Sequence, residues 1–230
     1  MAFGTKLLDS GGSNIERIHQ KYGIAGANEG VAHMAQYPIN LGVNDGAYKL
    51  ALVSGTMAAG LASGSEVFQF RWTSSASICA LRSVRLSATV AGTAFTAGAP
   101  SFTMRLARSW SVDGSGGTGA TISGNNCKSR TDFVTTVLGA ARIASTAALT
   151  AGTKTLDSTD VAAIVGVSGT ATTGQIVPPS TDLYNRYASD EYPILFEASE
   201  GFVVRATVPA TGTWALAVSV EWMEITVNSF

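Results

Sequence analysis

Large apolar side chains alternate with small or polar ones in five runs along this chain, and the first run begins at residue 68. The runs span residues 68–72, 78–90, 102–110, 202–208 and 214–222. Strict alternation over five or more residues is typical of an antiparallel strand with one buried face. The pattern therefore predicts a body built from half-buried β-strands.

Turn signals separate these runs. Residues 44–46 (Asn-Asp-Gly) precede the body, and residues 209–212 (Pro-Ala-Thr-Gly) follow the fourth run. Such residues favour turns because Gly, Asn and Asp tolerate unusual backbone angles and Pro presets one of them. The second signal predicts a hairpin between residues 202–208 and 213–225. Many short strands at this spacing are typical of a sandwich or barrel, so we predict an all-β, antiparallel β-sandwich, jelly-roll-like, over residues 44–230.

The first 43 residues lack this alternation, and we interpret them as an extended N-terminal arm. Residues 13–16 (Ser-Asn-Ile-Glu) have the form of a capping box, which predicts one short helix over about residues 14–22. Pro38 favours an extended path after it. Arms of this composition are ordered only where another surface holds them.

The stretch from residue 112 to residue 179 gives a weaker pattern. It is rich in Gly, Ser, Thr and Ala, and it predicts only short strands near residues 141–148 and 161–167. Loops of this length are often functional or form interfaces.

The chain carries little charge. Charged residues make up 13% of it, with 15 Lys and Arg against 16 Asp and Glu, whereas about 25% is usual. A surface of Ala, Ser, Thr and Gly suggests that neighbouring molecules cover much of it, and the alternative is an ordinary exposed surface that happens to be uncharged. Nucleic-acid binding needs clustered cations, so we expect no nucleic-acid partner.

Residues that could carry chemistry are few. The two histidines, His19 and His33, both lie in the arm outside any metal-ligand pattern, and the spacing of Cys79 and Cys127 suggests two free thiols. There is also no Gly-x-Ser-x-Gly nucleophile motif. The sequence therefore predicts no enzyme, no catalytic or metal-binding residue and no cofactor.

Two motifs match catalytic or cofactor-binding patterns only in part. Residues 114–119 (GSGGTG) have the spacing of a dinucleotide fingerprint, but no helical pattern follows them, so a surface loop is the better interpretation. Asp190 with Glu191, and Glu197 with Glu200, could suggest a glycosidase pair. Adjacent strand residues point to opposite faces, so we interpret these carboxylates as a solvated sheet edge and its turn.

Seven aromatic residues fall at alternating positions among Leu and Val. They could form a sugar-stacking platform, but their placement favours the core of the sandwich. The seven are Phe68, Phe70, Trp72, Trp110, Phe202, Trp214 and Trp222. The arginines on the polar faces, Arg71, Arg85 and Arg105, could pair with acids on a partner subunit.

The chain lacks sequence signals for membranes. Its first twelve residues hold no apolar stretch of signal-peptide length, and no run approaches the roughly 20 apolar residues of a membrane-spanning helix. We therefore expect a soluble protein with no membrane partner.

Three segments together resemble a family of tailed-bacteriophage virion structural proteins. They are residues 55–61 (GTMAAGL) leading into 68–72 (FQFRW), residues 142–153 (RIASTAALTAGT) and residues 200–214 (EGFVVRATVPATGTW). The likeness extends from about residue 47 to residue 225 and leaves the arm uncovered. The last block is the most specific, and it carries no catalytic residue.

The resemblance implies a capsid-associated role in the virion, such as that of a decoration or cement protein made in the bacterial host cytoplasm. Its partners would be the major capsid protein or other virion proteins, and we expect a homo-oligomer, with a trimer favoured. The apolar arm residues Tyr22, Tyr37, Ile39 and Leu41 are our predicted interface anchors. The main alternative is a carbohydrate- or receptor-binding β-sandwich module of a phage tail.

Overall fold

The computed structural model describes residues 6–8, 14–16, 46–96, 98–167, 172–186 and 193–226. The chain divides into two units, Met1–Ile39 and Asn40–Phe230. In the described ranges the regular secondary structure consists of strands alone.

Fifteen strands lie in these ranges. They are β1 (Lys6–Leu8), β2 (Asn14–Glu16), β3 (Gly46–Val53), β4 (Met57–Ala58), β5 (Ser65–Trp72), β6 (Ser77–Ala91), β7 (Ser101–Val112), β8 (Thr118–Gly119), β9 (Leu138–Ile143), β10 (Thr153–Leu156), β11 (Ala162–Val165), β12 (Thr173–Asn185), β13 (Leu195–Phe196), β14 (Glu200–Thr207) and β15 (Thr213–Thr226).

The body contains two sheets, and every strand pair in them is antiparallel. Sheet 1 has the order β3-β15-β6-β12, with β4 beside β15 and β13 beside β6. Sheet 2 has the order β10-β7-β14-β5-β9-β8, with β11 beside the first half of β7.

The strand pairs are nested along the chain. β3 pairs with β15, β5 with β14, β6 with β12, and β7 with β10 and β11. This arrangement, in which early strands pair with late ones and successive pairs alternate between two sheets, is that of a jelly roll. The predicted antiparallel β-sandwich is confirmed.

The core lies between the two sheets and is filled by the alternating residues of their inner faces. Trp214 and Trp222 from sheet 1 are fully buried, as are Phe70 and Phe102 from sheet 2. The rings meet across the core, with Phe70 and Trp222 centroids 5.3 Å apart and Phe102 and Trp214 centroids 5.7 Å apart. Removing apolar surface from water on this scale is the main stabilising contribution to such a fold.

The predicted hairpin between residues 202–208 and 213–225 is wrong. β14 lies in sheet 2 and β15 lies in sheet 1, so the connection between them crosses the sandwich. Its backbone bonds to other segments, because the N–H of Gly60 donates to Pro209 and the N–H of Thr213 donates to Thr93. Alternation shows which face of a strand is buried, but it does not show whether two strands share a sheet.

The predicted arm helix is wrong where the structure describes it. Residues Asn14–Glu16 form β2, which pairs with β1 so that Lys6 lies opposite Glu16. Backbone pairing with the neighbouring strand β1 has outweighed the helix preference that the capping box expresses. Residues 17–22 of that prediction lie outside the described residues.

Candidate interaction face

The outer face of sheet 1 carries small side chains in its centre and charged ones at one end. We define the sheet 1 face by the outward residues of its four long strands. They are Lys49, Ala51 and Val53 on β3, Ala215, Ala217, Ser219 and Glu221 on β15, Arg85, Ser87 and Thr89 on β6, and Gln175, Pro179 and Asp182 on β12.

Register and alternation place these residues on one surface. Ala217 lies opposite both Val53 on β3 and Ser87 on β6. Their chain neighbours on β15, Leu216 and Val218, are buried in the core. Since successive side chains of a strand point to opposite faces, Ala217 and its partners face away from the core.

A groove crosses this face from β3 to β12. Its volume is about 230 Å³, and its lining includes Val53, Ser87, Thr89, Ala215 and Ala217. The groove exists because alanine and serine in the middle of the face are shorter than the residues at its two edges. Val53 stands at one end with 68% of its surface exposed.

Four charged residues form a row beside the groove, one on each long strand of sheet 1. Lys49 Nζ lies 3.2 Å from Glu221 Oε1, and Arg85 Nη1 lies 3.9 Å from the same oxygen. Arg85 Nε also donates to Asp182 Oδ1 at 2.9 Å. The row therefore alternates in sign across the sheet, and we call it the charge row.

Hydrogen bonds fix the last member of the charge row. Asn185 and Arg85 both donate to Asp182, and these bonds lower the pKa of the Asp182 carboxyl from its ordinary value. Asp182 is therefore ionised at neutral pH, which keeps the alternation of charge intact.

A second polar cluster lies on the outer side of sheet 2, under the loops that follow β7 and β9. Lys154 Nζ lies 2.8 Å from Glu66 Oε2, and their side chains are only 2% and 8% exposed. Gln69 Nε2 donates to the same carboxylate at 2.5 Å and to the Thr150 carbonyl at 2.8 Å. Lys154 Nζ also lies 4.6 Å from the centre of the Trp110 ring. These contacts hold the loops against the sheet.

A third cluster surrounds the buried carboxylate of Glu224. Thr136 Oγ1, Trp222 Nε1 and the Val137 N–H all donate to it. Burial raises the pKa of Glu224, and these three donors oppose that rise. The cluster joins the end of β15 to the segment that precedes β9.

Both cysteines are free, as the sequence predicts. Burial, and secondarily the charge of Glu224, raises the pKa of Cys79 well above its ordinary value and raises that of Cys127. The thiolate is the reactive form of cysteine, so these surroundings disfavour a nucleophilic role.

The predicted interface anchors of the arm, Tyr22, Tyr37, Ile39 and Leu41, lie outside the described residues. They stay predictions. His19, His33 and the Asp190–Glu191 pair lie outside them too.

All seven alternating aromatics are buried, with at most 1% of each exposed. Six of them lie in the core of the sandwich, as predicted. Trp110 instead packs with Ala107 and Val203 in a separate small cluster, so its assignment to that core is wrong. None of the seven side chains is exposed enough to stack on a sugar. In the described ranges, the exposed large hydrophobic residues are all valines.

The remaining motifs have structural roles. Residues 114–119 lead through the short strand β8 instead of into a helix. Glu200 accepts a hydrogen bond from Arg108 at 2.6 Å and another from the Glu197 N–H at 2.9 Å, which fixes a turn.

The polar-face arginines already have acidic partners within the chain. Arg71 pairs with Asp113 and Arg105 with Asp160, as Arg85 pairs with Asp182. Pairing of these arginines with acids on a partner subunit stays a prediction.

The described part of the chain was searched for metal-binding clusters and for membrane-spanning helices. There, no three histidine, cysteine or acidic residues are grouped so that they could hold a metal ion. Nor do those residues include a helix with the length and apolarity needed to cross a membrane.

Sequence reasoning singled out Arg85 of the sheet 1 face as able to pair with a partner, but it did not find the face as a whole. One signal was present, because the positions between the buried residues of β15 are mostly Ala, Ser and Thr where exposed strands usually carry charges.

Comparison of the chain with models of protein families, with curated proteins and with solved structures found no match.

Proposed function

We propose that this protein is a non-enzymatic structural component of a tailed-bacteriophage virion. It acts as a capsid decoration or cement protein that stabilises the head through protein–protein contacts. Support comes from the three segments that resemble phage virion proteins and from the jelly roll, an architecture common in viral capsid proteins.

The residues that carry the resemblance belong to the framework of the fold. Residues 200–214 contain β14, the connection that crosses between the sheets, and the start of β15. Phe202, Val204 and Trp214 from this block are fully buried. The block with the strongest resemblance therefore consists of core residues, which supports a family whose common feature is its fold and not a catalysed reaction.

The observation that carries the proposal is the sheet 1 face. Its central residues, among them Ser87, Ala215 and Ala217, are short and uncharged. Such side chains lose little rotamer freedom when a partner covers them, and they leave no charge to be desolvated. A face of this kind is suited to docking against protein.

The arm completes the proposed mechanism. Its apolar residues Tyr22, Tyr37, Ile39 and Leu41 anchor the protein on the capsid, while the body forms contacts between copies. Several weak contacts engaged at once add avidity without any single strong one. The homotrimer expected from the sequence remains a prediction, and a mass measurement in solution tests it.

Sedimentation with assembled phage heads tests the proposal and the arm together. We expect the full chain to sediment with heads of the phage that encodes it, and the triple variant Tyr37→Ser, Ile39→Ser, Leu41→Ser to bind at least about tenfold more weakly, because it loses apolar contact area. Unchanged binding of the variant would refute the arm's role. Failure of the full chain to bind heads would refute the decoration function.

A glycan array separates this proposal from the tail-module alternative. The seven aromatics that the alternative would use to stack on a sugar are buried. We therefore expect no specific binding of this protein to any glycan on the array. Clear and saturable glycan binding would favour a receptor-binding module instead.

A further inference from the structure

The charge row is self-complementary. Read across sheet 1 from β3 to β12, it runs Lys49, Glu221, Arg85, Asp182, so the signs are plus, minus, plus, minus. Reversing the order of this row inverts every sign. A reversed copy laid on the original therefore places each charge opposite its counter-charge.

We infer that the sheet 1 face binds a second copy of this chain across a two-fold axis. The axis lies in the plane of the face, is perpendicular to the charge row and passes between Glu221 and Arg85. This rotation puts Lys49 opposite Asp182 of the second copy and Glu221 opposite its Arg85. A two-fold contact uses the same patch on both partners, and self-complementarity of charge is the property that such a patch requires.

The same rotation gives Val53 a place to bind. Val53 lies opposite Ala217 in the register, on the side of the row where the groove opens. With strands about 4.8 Å apart and outward residues about 6.8 Å apart, a flat projection places Val53 of the second copy within about 5 Å of Ala217. Each exposed valine therefore covers small residues in the groove of the other copy.

Small residues permit this approach. The outward positions between the charge row and the far end of the groove hold Ala51, Ser87, Ala217 and Ser219, so two faces can come together there without long side chains holding them apart. The four strands and four levels of outward residues cover roughly 500 Å² per copy. A total of about 1,000 Å² is at the small end of specific interfaces, and we expect a dimer that dissociates on dilution and with added salt.

This contact goes beyond the proposed function, since it does not depend on where the protein acts. It joins copies in pairs and does not itself build a trimer. A lattice of copies on a larger assembly would gain avidity from it.

Charge exchange on the full chain tests the inference. The acidic-row variant carries Lys49→Glu and Arg85→Glu, and the basic-row variant carries Glu221→Lys and Asp182→Lys. We expect sedimentation equilibrium to show self-association weakened at least about tenfold in each variant, because like charges then face one another. An equimolar mixture of the two should associate again, since one row then opposes its complement.

A matched control changes the same amount of charge elsewhere. Arg130→Glu with Arg142→Glu shifts the net charge as the acidic-row variant does, but neither residue lies on a strand of sheet 1. This control should associate like the unmodified chain. The inference is overturned if the two row variants associate as the unmodified chain does, or if their mixture fails to associate while circular dichroism shows both folded. Neither result would show whether the full chain sediments with phage heads, which the sedimentation experiment measures separately.

Discussion

At the scale of single residues, the body buries a carboxylate whose hydrogen-bond donors among the described residues are all neutral. Glu224 is 2% exposed, and its partners are a hydroxyl, an indole N–H and a backbone N–H. Neutral donors stabilise a carboxylate less than a cation does, and the net effect of the surroundings is a raised pKa. A group of this kind makes stability depend on pH.

The direction of this pH dependence follows from the linkage between proton binding and folding. With its pKa raised in the native state, Glu224 keeps its proton to a higher pH when the chain is folded than when it is unfolded. The folded protein therefore loses stability as the pH rises from the ordinary pKa of Glu through the raised pKa of Glu224 in the folded chain. At a pH below both pKa values this loss is absent.

We expect the variant Glu224→Gln to lack this loss. Urea unfolding from about pH 4 to pH 8 should show the stability of the unmodified chain falling, relative to the variant, as pH rises. Other titrating groups are the same in both proteins, so they cancel in the difference. Parallel stability curves would show that Glu224 has no raised pKa.

At the scale of elements, the outer side of sheet 2 depends on a buried ion pair to hold its loops. Lys154 at the start of β10 reaches Glu66 on β5, and Gln69 ties that carboxylate to the Thr150 carbonyl. The loop between β9 and β10 is thereby attached to the centre of the body. An ion pair so well covered is costly to break from one side only.

We expect the variant Lys154→Met to lose about 3–5 kcal/mol of unfolding free energy, because Glu66 would be left buried and unpaired. The double variant Lys154→Met, Glu66→Gln removes the charge as well and should recover part of that loss. Urea denaturation of the unmodified chain and both variants measures the two effects. A single variant as stable as the unmodified chain, or a double variant less stable than the single one, would contradict this role.

The alternation in the sequence correctly predicted the long strands in which every inward-facing side chain is large. Trp214, Leu216, Val218 and Val220 mark the buried face of β15 without ambiguity. The partners of that strand were not visible, because alternation is the same whichever sheet a strand joins. The hairpin error between β14 and β15 has this cause.

The pattern failed where backbone geometry departs from regular alternation. β12 was not predicted as one long strand, because its register against β6 shifts between Gln175 and Val177, between Val177 and Thr181, and again near Asp182. Pro178 and Pro179 lie within the second shift, and proline cannot donate to a sheet ladder. An edge strand tolerates such irregularities, but the irregularities hide its period of two.

The sheet 1 face was missed for a related reason. Its residues are defined by their neighbours on adjacent strands, and Val53, Ala217 and Ser87 are far apart in the sequence. The low overall charge of the chain does not say where on the surface the uncharged residues lie. Only the register shows which residues lie side by side on the sheet 1 face.

At the scale of the whole molecule, the nested strand pairs place residues from both ends of the body side by side. β3 and β15 form one edge of sheet 1, and the charge row draws one member from each of four strands. The face with alternating charges and the anchors predicted for the arm are the features on which we base the proposal that this protein works by assembling with others.

Cryo-electron microscopy of the assembled phage particle shows directly whether this protein is a component of the head. We expect density for the jelly-roll body at symmetry-related positions on the outside of the head, in contact with the major capsid protein. Particles whose heads carry no such density would contradict the account, whether the protein is then found elsewhere or is missing from the particle.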